Sequence, residues 1–348
     1  MTAAQTDVMS IDEATRTVFE MVGGVWAFKT LAAAVELGLF GALSGGRSAT
    51  QPELEAALGL PERPVELLLA GCASLGLVDK DGDHYRNSAL SEAGLVPGGP
   101  HDLSGAVGYF DTRSWRGWGR LTEALRTDRP TTWDPDVQDS LFAAEDEEML
   151  DRFWSAIHNI GRSTARAVAD AYDLSGHRRL LDVGAGSGCY PIELCRAYPE
   201  LTATCYDLPH VVPLAAAEID RAGMAERITT VAGDFFADEQ LPDGHDVALL
   251  AAVLHDWDED TGRMLLAKCH DALPPGGVLL ICEMLLDDDR TGPPPAALMG
   301  LNMLVETEGG RNYTEGQYRD WLLDAGFREV TRLPCGDGFA EDLLVARA

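Results

Sequence analysis

Four short stretches set chemically capable side chains at the ends of apolar runs. Leu180-Leu181-Asp182-Val183 runs into Gly184-Ala185-Gly186-Ser187-Gly188, a turn with glycine at alternate positions, and a helical pattern follows from Pro191. With no Cβ on such a turn, a ligand can lie against bare backbone. Asp207 closes the next apolar run, where an acid is placed to accept hydrogen bonds from a ribose diol. Gly233-Asp234-Phe235-Phe236 follows a third run, and an acid followed by aromatics suits an adenine amino group and its ring. Leu254-His255-Asp256-Trp257 follows a fourth.

The nucleoside is not decided by the turn alone. Dinucleotide folds use G-x-G-x-x-G, whereas this spacing is G-x-G-x-G with Cys189 next and no Lys or Arg in the loop. Both a dinucleotide and S-adenosylmethionine stay open at this point, with the balance towards the latter.

The elements that must position these groups read as two kinds of chain. From Arg179, strands at Leu180–Val183, Ala203–Tyr206, Ile228–Val231, Val247–Ala252 and Val278–Cys282 alternate with helices near Pro191–Ala197, Val212–Ala222, Thr261–Ala272 and Thr314–Ala325. Glu329–Leu333 and Asp342–Ala346 read as two more strands. Such alternation predicts an α/β doubly wound sheet, with ligand beyond the carboxyl ends of the strands.

Before it, residues 11 to 43 carry apolar side chains at helical spacing, and Gly23-Gly24 is expected to divide them into two helices. Thr50-Gln-Pro-Glu53 is a helix cap, Pro64 to Leu75 a further helix, and Leu77 to Arg86 a hairpin around Asp81-Gly82. Helix, helix, hairpin is the order of a winged helix. A DNA reader would show a basic face on its second helix, but Arg63 stands there between Glu62 and Glu66. Residues 104 to 172 are again helical and rich in bulky aromatics: Tyr109, Phe110, Trp115, Trp118, Trp133, Phe142, Phe153 and Trp154. Pro293-Pro294-Pro295 reads as a stiff loop.

Composition narrows the partners. The net charge of −30 over 348 residues opposes nucleic acid and anionic membranes, and suits a small neutral or cationic ligand. Seven cysteines without a CxxC pair or metal spacing read as buried, reduced thiols of a cytoplasmic protein. No metal site is expected. No apolar stretch of about 18 residues and no leader pattern is evident, so neither a membrane span nor export is expected.

Trp26 and Leu37-Gly-Leu-Phe40, the winged-helix region, Leu181 to Gly188, Tyr206-Asp-Leu-Pro209, Gly233 to Phe236, His255-Asp-Trp257, Pro274-Pro-Gly-Gly277 and Asn302-Met303-Leu304 keep one order along nearly the whole chain. In this the chain resembles the S-adenosylmethionine-dependent O-methyltransferases of the plant phenolic type and their bacterial secondary-metabolite relatives. The resemblance implies a Rossmann-like class I methyltransferase domain with a seven-stranded, mostly parallel sheet at 173–348. It also implies a helical, winged-helix-like dimerisation domain at 1–103, a connector at 104–172 that shares in the substrate pocket, and a homodimer.

By position in the family, S-adenosyl-L-methionine, leaving as S-adenosyl-L-homocysteine, is met by Asp182, Gly184, Gly186, Asp207, Leu208, Gly233, Asp234, Phe235 and Ala251. The small-molecule acceptor is met by Phe153, Trp154, Ile157, His158, Asp256, Met299, Asn302 and Met303. His255 is the general base, and the physics agrees: a neutral imidazole titrating near 6.5 takes the proton of a phenol, near 10, as the oxygen attacks. Holding nucleophile, methyl carbon and sulfur in line supplies much of the rest. Relatives orient that base with two glutamates. The first is Glu283; at the second this chain has Asn312, which brings no charge to an imidazolium. That departure keeps C- or N-methylation, or a non-catalytic role, as alternatives to O-methylation. Glu306, otherwise a solvated loop residue, is a candidate substitute carboxylate or a partner for a substrate amine.

Overall fold

The computed structural model describes residues 9–99, 101–138, 147–335 and 341–348, without the side chains of 147–153, 155, 156 and 341. It comprises two compact units, Met1–Asp111 and Thr112–Ala348.

The first unit begins with α1 (Ile11–Glu36) and α2 (Leu39–Ala42). Contrary to the sequence expectation, Gly23-Gly24 does not divide α1. Two glycines cost a helix about 2 kcal/mol, less than ending and renucleating it. The break comes instead at Gly38, whose φ of 75° lets the chain turn out of the helix. By length and composition alone α1 is long and apolar enough to cross a membrane, and 11% of its apolar window is buried within the chain. Val18, Phe19, Met21 and Trp26 are exposed on it.

Next come β1 (Ala49–Thr50), α3 (Gln51–Leu58), α4 (Glu62–Ser74), β2 (Val78–Asp81), β3 (His84–Asn87), α5 (Ala89–Gly94) and α6 (Ser104–Tyr109). Glu53 caps α3 by accepting the Thr50 amide at 2.7 Å. The three strands form an antiparallel sheet in the order β1-β3-β2, the expected wing around Gly82. Leu39, Phe40, Leu54, Val65, Leu69 and Cys72 make the core.

The second unit carries α7 (Trp115–Trp118), α8 (Leu121–Thr127) and α9 (Glu147–Ala171), and then the alternating chain. This runs β4 (Arg179–Val183), α10 (Cys189–Ala197), β5 (Thr202–Asp207), α11 (Val212–Arg221), β6 (Ile228–Ala232), β7 (Val247–Ala251), α12 (Glu259–Ala272), β8 (Val278–Met284), α13 (Pro294–Glu306), α14 (Glu315–Asp324), β9 (Glu329–Pro334) and β10 (Glu341–Arg347). The sheet order is β6-β5-β4-β7-β8-β10-β9, with β4 to β8 parallel and β10 antiparallel to both neighbours. Seven strands, mostly parallel, are as the resemblance implies. The strand order reverses at β4, so the crevice beyond the ends of β4 and β7 is where such a sheet takes its ligand.

Apolar residues cover both faces. Leu180, Leu249 and Leu280 point into one layer, and Leu181, Leu250 and Ile281 into the other. The triple proline corrects a sequence expectation: Pro294 and Pro295 open α13 rather than extending a loop, because the first helical positions need no amide hydrogen. All seven cysteines are buried thiols.

Candidate active site

The glycine turn is tied to Asp207 before any ligand is considered. Gly184 and Gly186 have φ of 73° and 54°, and the Gly184 amide donates to Tyr206 O at 2.9 Å. The Gly186 amide donates to Asp207 Oδ2 at 2.7 Å, and Leu208 N to Oδ1 at 2.7 Å. Burial pushes the Asp207 carboxyl up, while those two amides hold it down. Each oxygen keeps a lone pair for a hydroxyl donor. Asp182, at the end of β4, is 2% exposed, and its Oδ2 has no hydrogen-bond partner. Burial, with Asp207 nearby, drives its carboxyl well above the usual range. An orphaned buried carboxyl beside a bare-backbone turn is what a ligand carrying an amino group would satisfy, so these residues fit S-adenosylmethionine.

The loop after β6 is braced by residues the sequence does not single out. Gly233 N donates to Asp207 O at 2.9 Å, which ties this loop to the end of β5. Asp234 Oδ1 accepts from Phe236 N at 2.8 Å. Asp238 Oδ2 accepts from Tyr206 Oη at 2.7 Å and from Asp234 N at 3.2 Å. Lys268 Nζ, on α12, donates to Phe235 O at 2.8 Å and Asp238 O at 2.5 Å. A Cβ at Gly233 would collide with the Tyr206 ring. Phe235 and Phe236 meet the edge of Trp257 at 5.8 and 4.9 Å between centroids. Ala251, at the end of β7, is half-buried.

His255 lies in a short 3-10 turn, Leu254–Asp256, at the end of β7. Its Nδ1 is 2.6 Å from Glu283 Oε2. Glu283 is 1% exposed within β8, a strand buried at every position. Its other oxygen, Oε1, accepts the amides of Val253, Leu254 and His255 at 3.0, 2.9 and 3.4 Å. A buried carboxylate is tolerated when its lone pairs are filled this way, and it fixes the proton of His255 on Nδ1. Nε2 is then the basic nitrogen, with Asp256 Oδ1 at 3.6 Å. Burial pushes the Asp256 carboxyl up to about 7; His255 opposes the rise, and Glu283 and Glu306 add to it.

Asn312 is 3% exposed and makes no hydrogen bond to that pair. Its Nδ2 donates to Met284 O at 2.7 Å, and its Oδ1 is buried with no hydrogen-bond partner. The loop before it passes close over the histidine: a Cβ at Gly310 would lie 2.7 Å from His255 O and 2.8 Å from Asp256 O. Glu306, last residue of α13, is no solvated loop residue; it is 3% exposed. It accepts Ser114 Oγ and Thr132 Oγ1, each at 2.9 Å, and Arg113 Nε at 3.4 Å. Its carboxylate thus joins the residues just before α7 to the loop after α8.

The acceptor candidates divide between two places. On α13, Met303 is buried, Met299 is half-buried, and Asn302 Oδ1 accepts Trp118 Nε1 at 2.8 Å. On α9, Ile157 is half-buried, while Trp154 and His158 go to the glycine turn: a Cβ at Gly186 would lie 2.5 Å from Trp154 Cζ3, and His158 Nδ1 is 3.0 Å from Ser187 Oγ. The side chain of Phe153, and Phe142 altogether, lie outside the described residues. Among the described residues, no group of three metal-ligating side chains forms.

The O-methyltransferase domain family matches residues 118–328. The chain belongs to the O-methyltransferase family. Residues 19–97 match that family's dimerisation domain. A 3-hydroxy-5-methyl-1-naphthoate 3-O-methyltransferase of Streptomyces sahachiroi is 49% identical over 89% of each chain. Acetylserotonin O-methyltransferase of Gallus gallus is 36% identical over 90% of this chain and 92% of its own. The crystal structure of human N-acetylserotonin methyltransferase in complex with S-adenosylmethionine superposes with a TM-score of 0.86 at 32% identity, covering 100% and 99% of the two chains. This O-methyltransferase uses S-adenosylmethionine and acts on small molecules.

Proposed function

We propose that the enzyme methylates an aromatic hydroxyl of a flat, oxygenated acceptor, with His255 as general base and Glu283 as the residue that orients it. The observation carrying this is the 2.6 Å contact between His255 Nδ1 and Glu283 Oε2, with Oε1 held by three amides. A carboxylate that cannot turn keeps the ring proton on Nδ1, which makes Nε2 the nitrogen that takes the hydroxyl proton, and its charge stabilises the imidazolium that forms. Bound S-adenosylmethionine supplies an electrophilic methyl group on a sulfonium. Asp207 and the Gly184–Gly188 turn hold the ribose and methionine parts, Asp182 the amino group, and Asp234 with Phe235 the adenine; Leu208, Gly233 and Ala251 complete that contact.

For the acceptor, Ile157, Met299, Asn302 and Met303 offer apolar wall and amide, with Asp256 beside the base. Asn312 acts by shaping the loop under β8 rather than by charge. The naphthoate and acetylserotonin relatives support a fused or bicyclic aromatic acceptor. The matched dimerisation domain and the exposed apolar face of α1 support a homodimer. The buried thiols support a cytoplasmic setting. The functional division of the chain is 1–103 for dimerisation, 104–172 as connector and 173–348 for the methyl donor.

Incubation with trideuteromethyl S-adenosylmethionine and 3-hydroxy-5-methyl-1-naphthoate, followed by mass spectrometry, tests the reading. Label on the ring oxygen is expected. Label on carbon, or no transfer to this acid or to a panel of naphthols and hydroxyindoles, would contradict it.

A further inference from the structure

The turn that carries His255 is held from two sides. Leu254–Asp256 is a single 3-10 turn, and Trp257 leaves it extended, with φ of −123° and ψ of 163°. α12 follows at once, its start capped by Asp258 Oδ1, which accepts Thr261 N at 2.9 Å. The turn's own amide bonds are long: Asp256 N to Val253 O is 3.2 Å, and Trp257 N to Leu254 O is 3.4 Å. Amide hydrogen bonds centre near about 2.9 to 3.0 Å, so the turn does little to close itself. Glu283 gathers its amide side. Its carbonyl side meets the segment from Gly310 to Tyr313. A Cβ at Gly310 would lie 2.7 Å from His255 O and 2.8 Å from Asp256 O, and Tyr313 Oη donates to Trp257 O at 2.7 Å.

Tyr313 is itself a fixed post. It is 1% exposed, and its ring packs edge-on with Trp321 and Tyr318 of α14, at 4.6 and 5.7 Å between centroids. Its carbonyl accepts Leu286 N, just past the end of β8, at 3.0 Å. Thr314, next to it, caps α14 by accepting Gln317 N at 3.2 Å. Glu283 and Tyr313 are thus fixed by the same strand, one within β8 and the other on the chain leaving it. Burial pushes the Tyr313 hydroxyl up to about 12; Arg311 opposes the rise, and Asp258, Glu259 and Glu283 add to it. It therefore stays a donor from pH 6 to about 10.

We propose that Tyr313 is a positioning residue for the base: by donating to Trp257 O it fixes the far end of the turn, so that His255 Nε2 keeps one place against the acceptor hydroxyl. The inference rests on the reading of His255 as general base and extends it to a residue too buried to meet either ligand. Tyr313 acts only through the turn. Proton transfer and in-line attack both depend on that geometry, and a misplacement of about 1 Å can cost about 10²-fold in rate. Tyr313→Phe keeps the ring against Trp321 and Tyr318 and removes the one bond to Trp257 O.

The test is single-turnover methyl transfer by Tyr313→Phe, made both in the wild-type enzyme and in His255→Ala. The acceptor is 3-hydroxy-5-methyl-1-naphthoate, or whichever naphthol or hydroxyindole of the panel the wild type methylates. In the wild-type background a loss of about 5- to 50-fold is expected at pH 7, closing towards pH 10 as the acceptor ionises unaided. S-adenosylhomocysteine affinity should stay within about 3-fold. In the His255→Ala background the same change is expected to cost less than about 2-fold, because a base that is absent cannot be misplaced. An equal loss in both backgrounds, or an equal loss at pH 7 and pH 10, would make the hydroxyl a general prop and overturn the proposal. So would a Tyr313→Phe variant with the wild-type rate at pH 7, or one that no longer folds. Full turnover of His255→Ala on its own would overturn the base reading itself, and with it anything for Tyr313 to position.

Discussion

Replacing Glu283 by Gln asks whether one carboxylate sets the proton of His255. Gln has one oxygen and one amino group for the places of two oxygens. If its oxygen stays with the Val253, Leu254 and His255 amides, three bonds of 3.0, 2.9 and 3.4 Å survive and the amino group faces His255 Nδ1. If it flips, one bond survives and three amides confront an N–H donor. At about 1 kcal/mol net per bond, the first arrangement wins by about 2 kcal/mol. Nδ1 must then accept, the ring proton moves to Nε2, and the basic lone pair is lost. Regaining the active tautomer costs that ~2 kcal/mol, and losing the charge-assisted bond to the imidazolium adds about 2 to 3 kcal/mol. The sum corresponds to about a 10³-fold fall in single-turnover rate. S-adenosylhomocysteine affinity should stay within about 3-fold, because Glu283 touches none of the groups assigned to that ligand. A variant rate within tenfold of wild type, or a matching loss of cofactor affinity, would refute the reasoning.

Two further predictions concern the same corner. Asp256 titrates near 7 when folded against 3.8 as its ordinary value. A raised carboxyl pKa means the folded state keeps a proton the unfolded state has lost, so stability falls as pH rises from about 4 to about 7 and is level above. The ceiling is about 4 kcal/mol. Thermal melts of Asp256→Asn should therefore gain on wild type between pH 4.5 and 8; parallel curves would count against the shift. Asn312→Asp places a carboxylate oxygen against Met284 O in place of the 2.7 Å hydrogen bond. It should cost about 1 to 3 kcal/mol near neutral pH and less below about pH 4, where the acid regains a donor. Urea unfolding at the two pH values reads this directly, and equal stability at both would contradict it.

Much of this site is legible because it sits at strand ends. Asp207 and Asp234 are acids directly after apolar runs, and Glu283 is an acid at the end of one. Burying a charge in such a strand demands partners, and the three amides and His255 provide them. What the sequence does not show depends on contacts between distant segments. The Tyr206–Asp238–Lys268 brace joins three elements, and Glu306 is buried only because Ser114 and Thr132 fold onto it. Trp154 and His158 carry no local sign that they pack on the glycine turn; the register of α9 on Gly186 and Ser187 brings them there. In α1 and at Pro294, local breaker signals are outweighed by helix cooperativity and by position at a helix start.

The central claim is that His255 takes the acceptor's proton. The direct measurement is methyl-transfer turnover of His255→Ala across pH 6 to 10, with S-adenosylhomocysteine affinity measured alongside. The account predicts a loss of about 10² to 10⁴ near pH 7. The gap should narrow towards pH 10 as the acceptor hydroxyl ionises unaided, with cofactor affinity unchanged throughout. Full turnover of the variant at pH 7 would contradict it.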